Sequence, residues 1–279
     1  MAETARKGTP RDSGRDGEVS DPSERIVRVN GEACRVWEAG QGDVIGVLPP
    51  FGGFPRWTPF LAALATERRV VVPSLPGFPG GHGHEKLDDL PDWIAATLDL
   101  LEAAGLAGGA DLVGPSVGGA LLAEAAAFSP AVAKRLVLIA PFGLFDESQP
   151  TADPWAQRAD ELPGLLCAKP ERFVADWAPP SGEDPIEWQI AITRGSEAAA
   201  RLLWPTGDLG LRKRLHRITA PTLLVWGAAD RVVPPSYAAR FAAGITGPTQ
   251  IATLDGAGHR VDLDAPEALA ELVLRFTRA

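Results

Sequence analysis

The sequence has little cysteine, little histidine and no excess of positive charge. Two cysteines in 279 residues, Cys34 and Cys167, are too few for a disulfide framework, so two free thiols in a reducing compartment are expected. Four histidines with no neighbouring Cys/His cluster supply no tetrahedral zinc set, and no metal is expected. Lys and Arg number 27 against 36 Asp and Glu, giving a net charge of −9 and an isoelectric point near 5.0. That balance argues against nucleic acid or an anionic membrane as partner. No apolar run reaches transmembrane length, and the N-terminus lacks the apolar core of a signal peptide. These absences lead to the expectation of a cytoplasmic monomer or homodimer that acts on a small molecule.

What is present suits a soluble enzyme. Hydrophobic residues make up 45% and charged residues 23%, and the length can bury one sizeable α/β core. Residues 1–24 are rich in Gly, Pro, Ser and charge and are expected to form a disordered tail. A hairpin is predicted at 26–29 and 34–37 around Asn30-Gly31. Short apolar runs follow at 44–48, 70–72, 112–113, 136–139, 223–226 and 250–254, in the style of buried parallel strands. Between them lie helical patterns at 93–104, 117–128, 236–243 and 266–277, which predicts a mostly parallel sheet covered on both faces. Residues 143–217 break this rhythm. They carry no convincing strand, short helical patterns at 170–177, 184–188 and 197–204, and four of the eight tryptophans.

The most informative segment is Gly114-Pro115-Ser116-Val117-Gly118, a G-x-S-x-G pattern between an apolar run and an Ala-rich helix. A serine on a sharp strand-to-helix turn has its hydroxyl pushed outward. Glycines on either side admit the neighbouring backbone, and the helix N-terminus favours negative charge there. On a strand-to-helix turn of this G-x-S-x-G kind, the serine's partners follow it along the chain, an acid and then a histidine. Asp230 lies just past the apolar run 223–226, and His259 lies in the Gly-rich loop Asp255-Gly-Ala-Gly-His259. Strand ends of a parallel sheet deliver all three residues to one rim. His259 is then the base, and Asp230 fixes its tautomer. Ser116 and Asp230 also have plainer readings as helix caps. His216 reads as a solvated helix-end residue, and His82 and His84 as parts of a solvated turn.

These segments resemble the α/β-hydrolase superfamily from about Arg25 to the C-terminus. The stretch Val70-Val-Val-Pro-Ser-Leu-Pro-Gly-Phe78 is similar to the family's strand and turn, with Ser74 where Asp is usual. The resemblance implies an α/β-hydrolase fold with a mostly parallel eight-stranded sheet, a Ser-His-Asp core and usually no cofactor. It places a helical cap at 143–217 and the hydrolase core at 25–142 and 218–279. The family's His-Gly is missing from Val47-Leu-Pro-Pro-Phe-Gly-Gly-Phe54. Either Phe51 or Gly53 supplies the first oxyanion N–H. Phe51 is preferred because two prolines stiffen the turn before it, and Val117 supplies the second. Gly52, Trp155, Trp177 and Trp204 are expected to line an apolar substrate pocket.

The implied reaction is hydrolysis of a small, largely apolar carboxylic ester. The alternatives are carbon–carbon bond hydrolysis of a β-diketone or ring-cleavage product; peroxyacid formation, cyclisation or thioester release; and a non-catalytic ligand-binding protein on the same fold.

Overall fold

Apolar runs that read as strands in the sequence form a single sheet. The computed structural model describes residues 22–278. Its elements, in chain order, begin with β1 (Ser23–Val29), β2 (Glu32–Ala39), β3 (Val44–Val47), α1 (Pro59–Ala65), β4 (Arg69–Pro73) and α2 (Leu90–Ala103). There follow β5 (Ala110–Pro115), α3 (Ser116–Phe128), β6 (Ala133–Ile139), α4 (Leu162–Leu166), α5 (Pro170–Trp177) and α6 (Pro185–Leu203). The chain ends with β7 (Thr222–Gly227), α7 (Tyr237–Gly244), β8 (Thr249–Leu254), α8 (Val261–Asp264) and α9 (Pro266–Arg278). The eight strands lie in the order β1-β2-β4-β3-β5-β6-β7-β8. The β1–β2 and β2–β4 pairs are antiparallel and the others parallel.

Side chains along the central strands alternate between two cores. Leu112, Leu136, Leu138, Leu224 and Trp226 face the layer of α2, α3 and α7, while Val113, Val137, Ile139, Leu223 and Val225 face α1 and α9. A run apolar at every position is therefore two half-runs of period two, each meeting its own helices. The β1–β2 turn takes positive φ at Asn30 (51°) and Gly31 (82°), as a tight two-residue hairpin requires. Helix starts follow local chemistry. The Asp89 carboxylate accepts from the Asp92 N–H at 3.1 Å, and the Asp184 carboxylate from the Ile186 N–H at 2.8 Å with Pro185 at the first helical position.

The fold departs from expectation at its N-terminus and in α6. The proposed tail at 1–24 overlaps the sheet, because β1 begins at Ser23 and Glu24 accepts a hydrogen bond from the Trp37 indole at 3.1 Å; residues 1–21 lie outside the described residues. The separate helical patterns at 184–188 and 197–204 are one helix, α6. Gly195 suggests a break there, and a mid-helix glycine costs about 1 kcal/mol in propensity. Packing overrides that cost: a Cβ at Gly195 would lie 2.9 Å from the Gly52 carbonyl oxygen, so only glycine lets α6 sit down on that loop.

Candidate active site

The junction of β5 and α3 is built from close backbone approaches. A Cβ on Gly114 would lie 2.6 Å from the Gly118 carbonyl, one on Gly118 2.6 Å from the Pro49 oxygen, and one on Gly119 2.5 Å from the Gly114 oxygen. The Gly118 N–H donates to the Pro49 carbonyl at 3.0 Å. Ser116 sits at this pinch with φ +54°, a left-handed value costly for a non-glycine residue and typical of a functional turn. Its side chain stands at the N-terminus of α3, where the free N–H groups point.

Two further strand ends meet this serine. Asp230 follows β7, and His259 follows β8 on a loop that donates from the Gly258 N–H to the Asp264 carboxylate at 2.8 Å. The His259 Nε2 lies 2.8 Å from the Ser116 Oγ, and its Nδ1 lies 3.0 Å from the Asp230 Oδ2. The other Asp230 oxygen accepts from the Val232 and Val233 N–H groups at 2.8 and 3.0 Å. One oxygen thus holds the turn after β7 and the other faces the histidine; the helix that follows starts at Tyr237, with Ser236 and not Asp230 at its cap position. With the carboxylate on Nδ1, the favoured tautomer carries its proton there and leaves Nε2 free to accept from the serine hydroxyl.

Across from Ser116, residues Pro50 to Gly53 form a turn closed by the Gly53 N–H donating to the Pro50 carbonyl at 2.9 Å, with Gly52 at φ +76°. The Gly53 N–H is therefore occupied. Among the described residues, neither the Phe51 nor the Val117 N–H donates to another protein group. Aromatic side chains surround the turn. The Phe51 ring meets Trp155 edge-on at 5.4 Å and lies parallel to Trp177 at 6.5 Å, and Phe142 packs edge-on to His259 at 5.4 Å. A Cβ on Gly52 would lie 2.3 Å from the Trp177 ring. Of the four residues expected to line a pocket, Gly52, Trp155 and Trp177 lie together at this turn and Trp204 does not. It is 60% exposed at the end of α6, with its indole donating to Asp153 at 3.2 Å, because the helix that carries it ends on the outer surface. Ser116 itself is 0% exposed and His259 1%.

The residues around His82 divide. His82 is exposed, but His84 is buried beneath α6, so the loop is not the fully solvated turn expected. Among the described residues, no group of three His, Cys, Asp or Glu side chains is arranged to hold a metal ion, and no helix is long and apolar enough to cross a membrane.

A buried charge cluster next to His259 had no signal in the sequence beyond the acidic pair Asp262 and Asp264. The Arg260 guanidinium is fully buried and forks onto Asp262, with Nε and Nη2 at 2.9 and 2.8 Å from its two oxygens. Asp262 holds it in the charged form against the opposing effect of burial. Asp176, on α5, lies 3.8 Å from Arg260 and has one buried oxygen without a hydrogen-bond partner. Burial pushes its carboxyl up to about 6 from the usual 3.8, only partly offset by Arg260. A carboxyl with a raised folded-state pKa contributes stability below its unfolded pKa and loses it as pH rises through about 6. Asp176→Asn is therefore expected to stabilise the fold more at pH 8 than at pH 5, by roughly 1–2 kcal/mol, read from melting curves at both values. An equal shift at both would show that Asp176 ionises freely in the folded protein.

A family model described as the alpha/beta hydrolase family matches residues 47–272. The chain is 30% identical to the dihydrolipoyllysine-residue acetyltransferase component of an acetoin cleaving system from Pseudomonas putida, over 94% of this chain and 71% of that protein. It is 31% identical to a pimeloyl-[acyl-carrier protein] methyl ester esterase from Shewanella woodyi, over 72% of this chain and 84% of that one. It is 26% identical to a 2-hydroxy-6-oxo-2,4-heptadienoate hydrolase from Pseudomonas putida, over 91% and 96% of the two chains.

Proposed function

Given that this chain belongs to the alpha/beta hydrolase family, we propose that it is a serine hydrolase that cleaves a small, largely apolar carboxylic ester. The observation that carries the reading is the continuous line from Asp230 through His259 to Ser116, with contacts of 3.0 and 2.8 Å. In this reading His259 takes the Ser116 proton as the oxygen attacks the substrate carbonyl. The Phe51 and Val117 N–H groups hold the oxyanion. Protonated His259 returns the proton to the leaving alcohol, and water cleaves the acyl-enzyme by the same route. Asp230 stabilises the imidazolium that forms between the two transfers.

Support for an apolar substrate comes from the rings of Phe51, Trp155, Trp177 and Phe142. In the proposed arrangement, residues 143–217 act as a helical cap over the serine, with Gly52, Trp155 and Trp177 at the substrate. The esterase relative points the same way. A second reading, hydrolysis of a carbon–carbon bond beside a ketone, is favoured by the heptadienoate hydrolase, which aligns over 96% of its length. A dienoate substrate of that kind brings a carboxylate, which needs a cation. Arg260, beside the oxyanion turn, already has its charge matched by Asp262. A neutral ester makes no such demand.

Turnover of short-chain aryl esters and of a conjugated ring-fission ketoacid, measured side by side on the wild type and on His259→Ala, tests the reading. Ester turnover that depends on His259 is expected. Turnover of the ketoacid alone would replace the first reading by the second, and binding of either without turnover would leave a ligand-binding protein.

A further inference from the structure

We propose that Arg260 is a positioning residue, which holds the Phe51 turn at the oxyanion site and ties it to helix α5 through Asp176. The inference rests on the reading of Phe51 as an oxyanion donor, and it adds what keeps that donor in place.

Besides its fork onto Asp262, this one residue joins several segments. Its backbone continues directly from His259. Its backbone N–H donates to the Leu166 carbonyl of α4 at 2.9 Å. Its Nη1 donates to the Phe51 carbonyl at 3.5 Å. Its Nη2 lies 3.8 Å from the Asp176 carboxylate. The oxyanion turn and α5 thus meet at its guanidinium, the histidine loop and α4 at its backbone, and the residue is 0% exposed.

The turn needs such a support. The central peptide of a turn like Pro50–Gly53 can flip about the bonds on either side of it, and glycine at the third position opposes the flip weakly. A flip would move the Phe51 carbonyl off Arg260; the Phe51 N–H lies in the preceding peptide, so Arg260 steadies it through the Phe51 backbone that the carbonyl anchors. The Gly53 to Pro50 hydrogen bond closes the ends of the turn but does not fix its middle. Arg260 holds the middle from one side, and the Trp177 ring packs on Gly52 from the other.

Asp176 and Trp177 are adjacent at the end of α5. When α5 is seated, one residue meets Arg260 and the other meets Gly52. Lifting α5 removes both supports at once, and the oxyanion turn is complete only when the insertion is down. The arrangement also accounts for an acid with an unpartnered buried oxygen. Asp176 costs stability, and what it supplies in return is a fixed relation between α5 and Arg260.

The test uses a fluorophosphonate, whose reaction with serine develops an oxyanion without requiring the natural substrate. Inactivation is resolved into kinact and KI for the wild type, for the double variant Arg260→Met with Asp262→Leu, and for Asp176→Asn, with a melting curve for each. Exchanging both members of a buried ion pair for apolar residues is often neutral for stability, so the double variant is expected to fold. Its kinact should fall about tenfold or more, because a misplaced oxyanion donor costs less than an absent one but is felt in the transition state, while KI stays within about twofold. Asp176→Asn should lower kinact by about threefold or more at an unchanged or higher melting temperature.

Wild-type kinact in a folded double variant overturns the positioning role. A change confined to KI and melting temperature overturns it as well, since that is what loss of packing alone would do. If the double variant does not fold, an unchanged kinact in Asp176→Asn overturns the proposal. A wild type that never reacts overturns the serine reading itself, and the Arg260 role with it.

Discussion

Ser116→Ala is expected to abolish labelling by a fluorophosphonate and to lower ester turnover by about 10⁵-fold or more. The change keeps the Cβ and so keeps whatever strain φ +54° imposes; the fold should persist, with a melting temperature close to that of the wild type. It removes only the oxygen that the His259 Nε2 faces at 2.8 Å. His259→Ala should be of similar severity, because the groups act as a unit and loss of either partner disables the transfer. Asp230→Asn should cost less, about 10⁴-fold, through the tautomer: an amide NH₂ facing Nδ1 favours the ring form with its proton on Nε2, where it cannot accept from the serine. Intact mass after labelling gives the outcome for all three. A labelled Ser116→Ala protein would place the reactive nucleophile elsewhere and end the proposed mechanism.

Gly118→Ala is expected to have the second largest effect, and here the fold and the chemistry fail together. The added Cβ would lie 2.6 Å from the Pro49 oxygen and 2.9 Å from the Leu48 oxygen. Both neighbours are backbone, so no side chain can swing aside. The first turn of α3 must move away from the Pro49-Pro50 segment, and the Gly118 N–H loses its 3.0 Å bond to the Pro49 carbonyl. That movement separates Val117 from Phe51, the two proposed oxyanion donors. A loss of about 3 kcal/mol or more in stability is expected, together with a fall of about a hundredfold or more in turnover. Gly164→Ala is the matched control, since nothing lies within 4 Å of its added Cβ and it stands in the helix α4. Thermal unfolding and aryl-ester rates on both variants decide. Wild-type behaviour in Gly118→Ala would mean that the elbow can relax.

The parts of this molecule that could be read from the sequence are those set by local spacing. The elbow needs glycines where backbones touch, and Gly114, Gly118 and Gly119 stand at those touches. Central strands apolar at nearly every position announce a sheet buried on both faces, and Asp230 was placed by following one of them, β7, to its end; His259 follows β8, an edge strand of mixed sequence with no buried residue, and was placed by its Gly-rich loop. The choice between Phe51 and Gly53 stayed open because it turns on which N–H is already bonded; the Gly53 contact with the Pro50 carbonyl, which favours the proposed Phe51, is a matter of tertiary geometry. The unity of α6 was hidden for a related reason: Gly195 looks like a break until Gly52 is seen beneath it. Trp204 shows the reverse case, a large aromatic residue assigned to a pocket by composition and found on the surface. The approach of Asp176 to Arg260 joins distant segments through the packing of α5, and no local pattern encodes it.

The complete burial of Ser116 sets a clock for whatever reaction it carries out. With none of its surface exposed, the described form gives an approaching molecule nothing to collide with. Productive encounters are limited to moments when the groups packed around it have moved, and motions of that kind occur on microsecond to millisecond timescales. The second-order rate constant should then fall below the diffusional ceiling by the fraction of time spent open. It should respond to solvent viscosity and to the bulk of the acyl group before it responds to the electronic character of the leaving group.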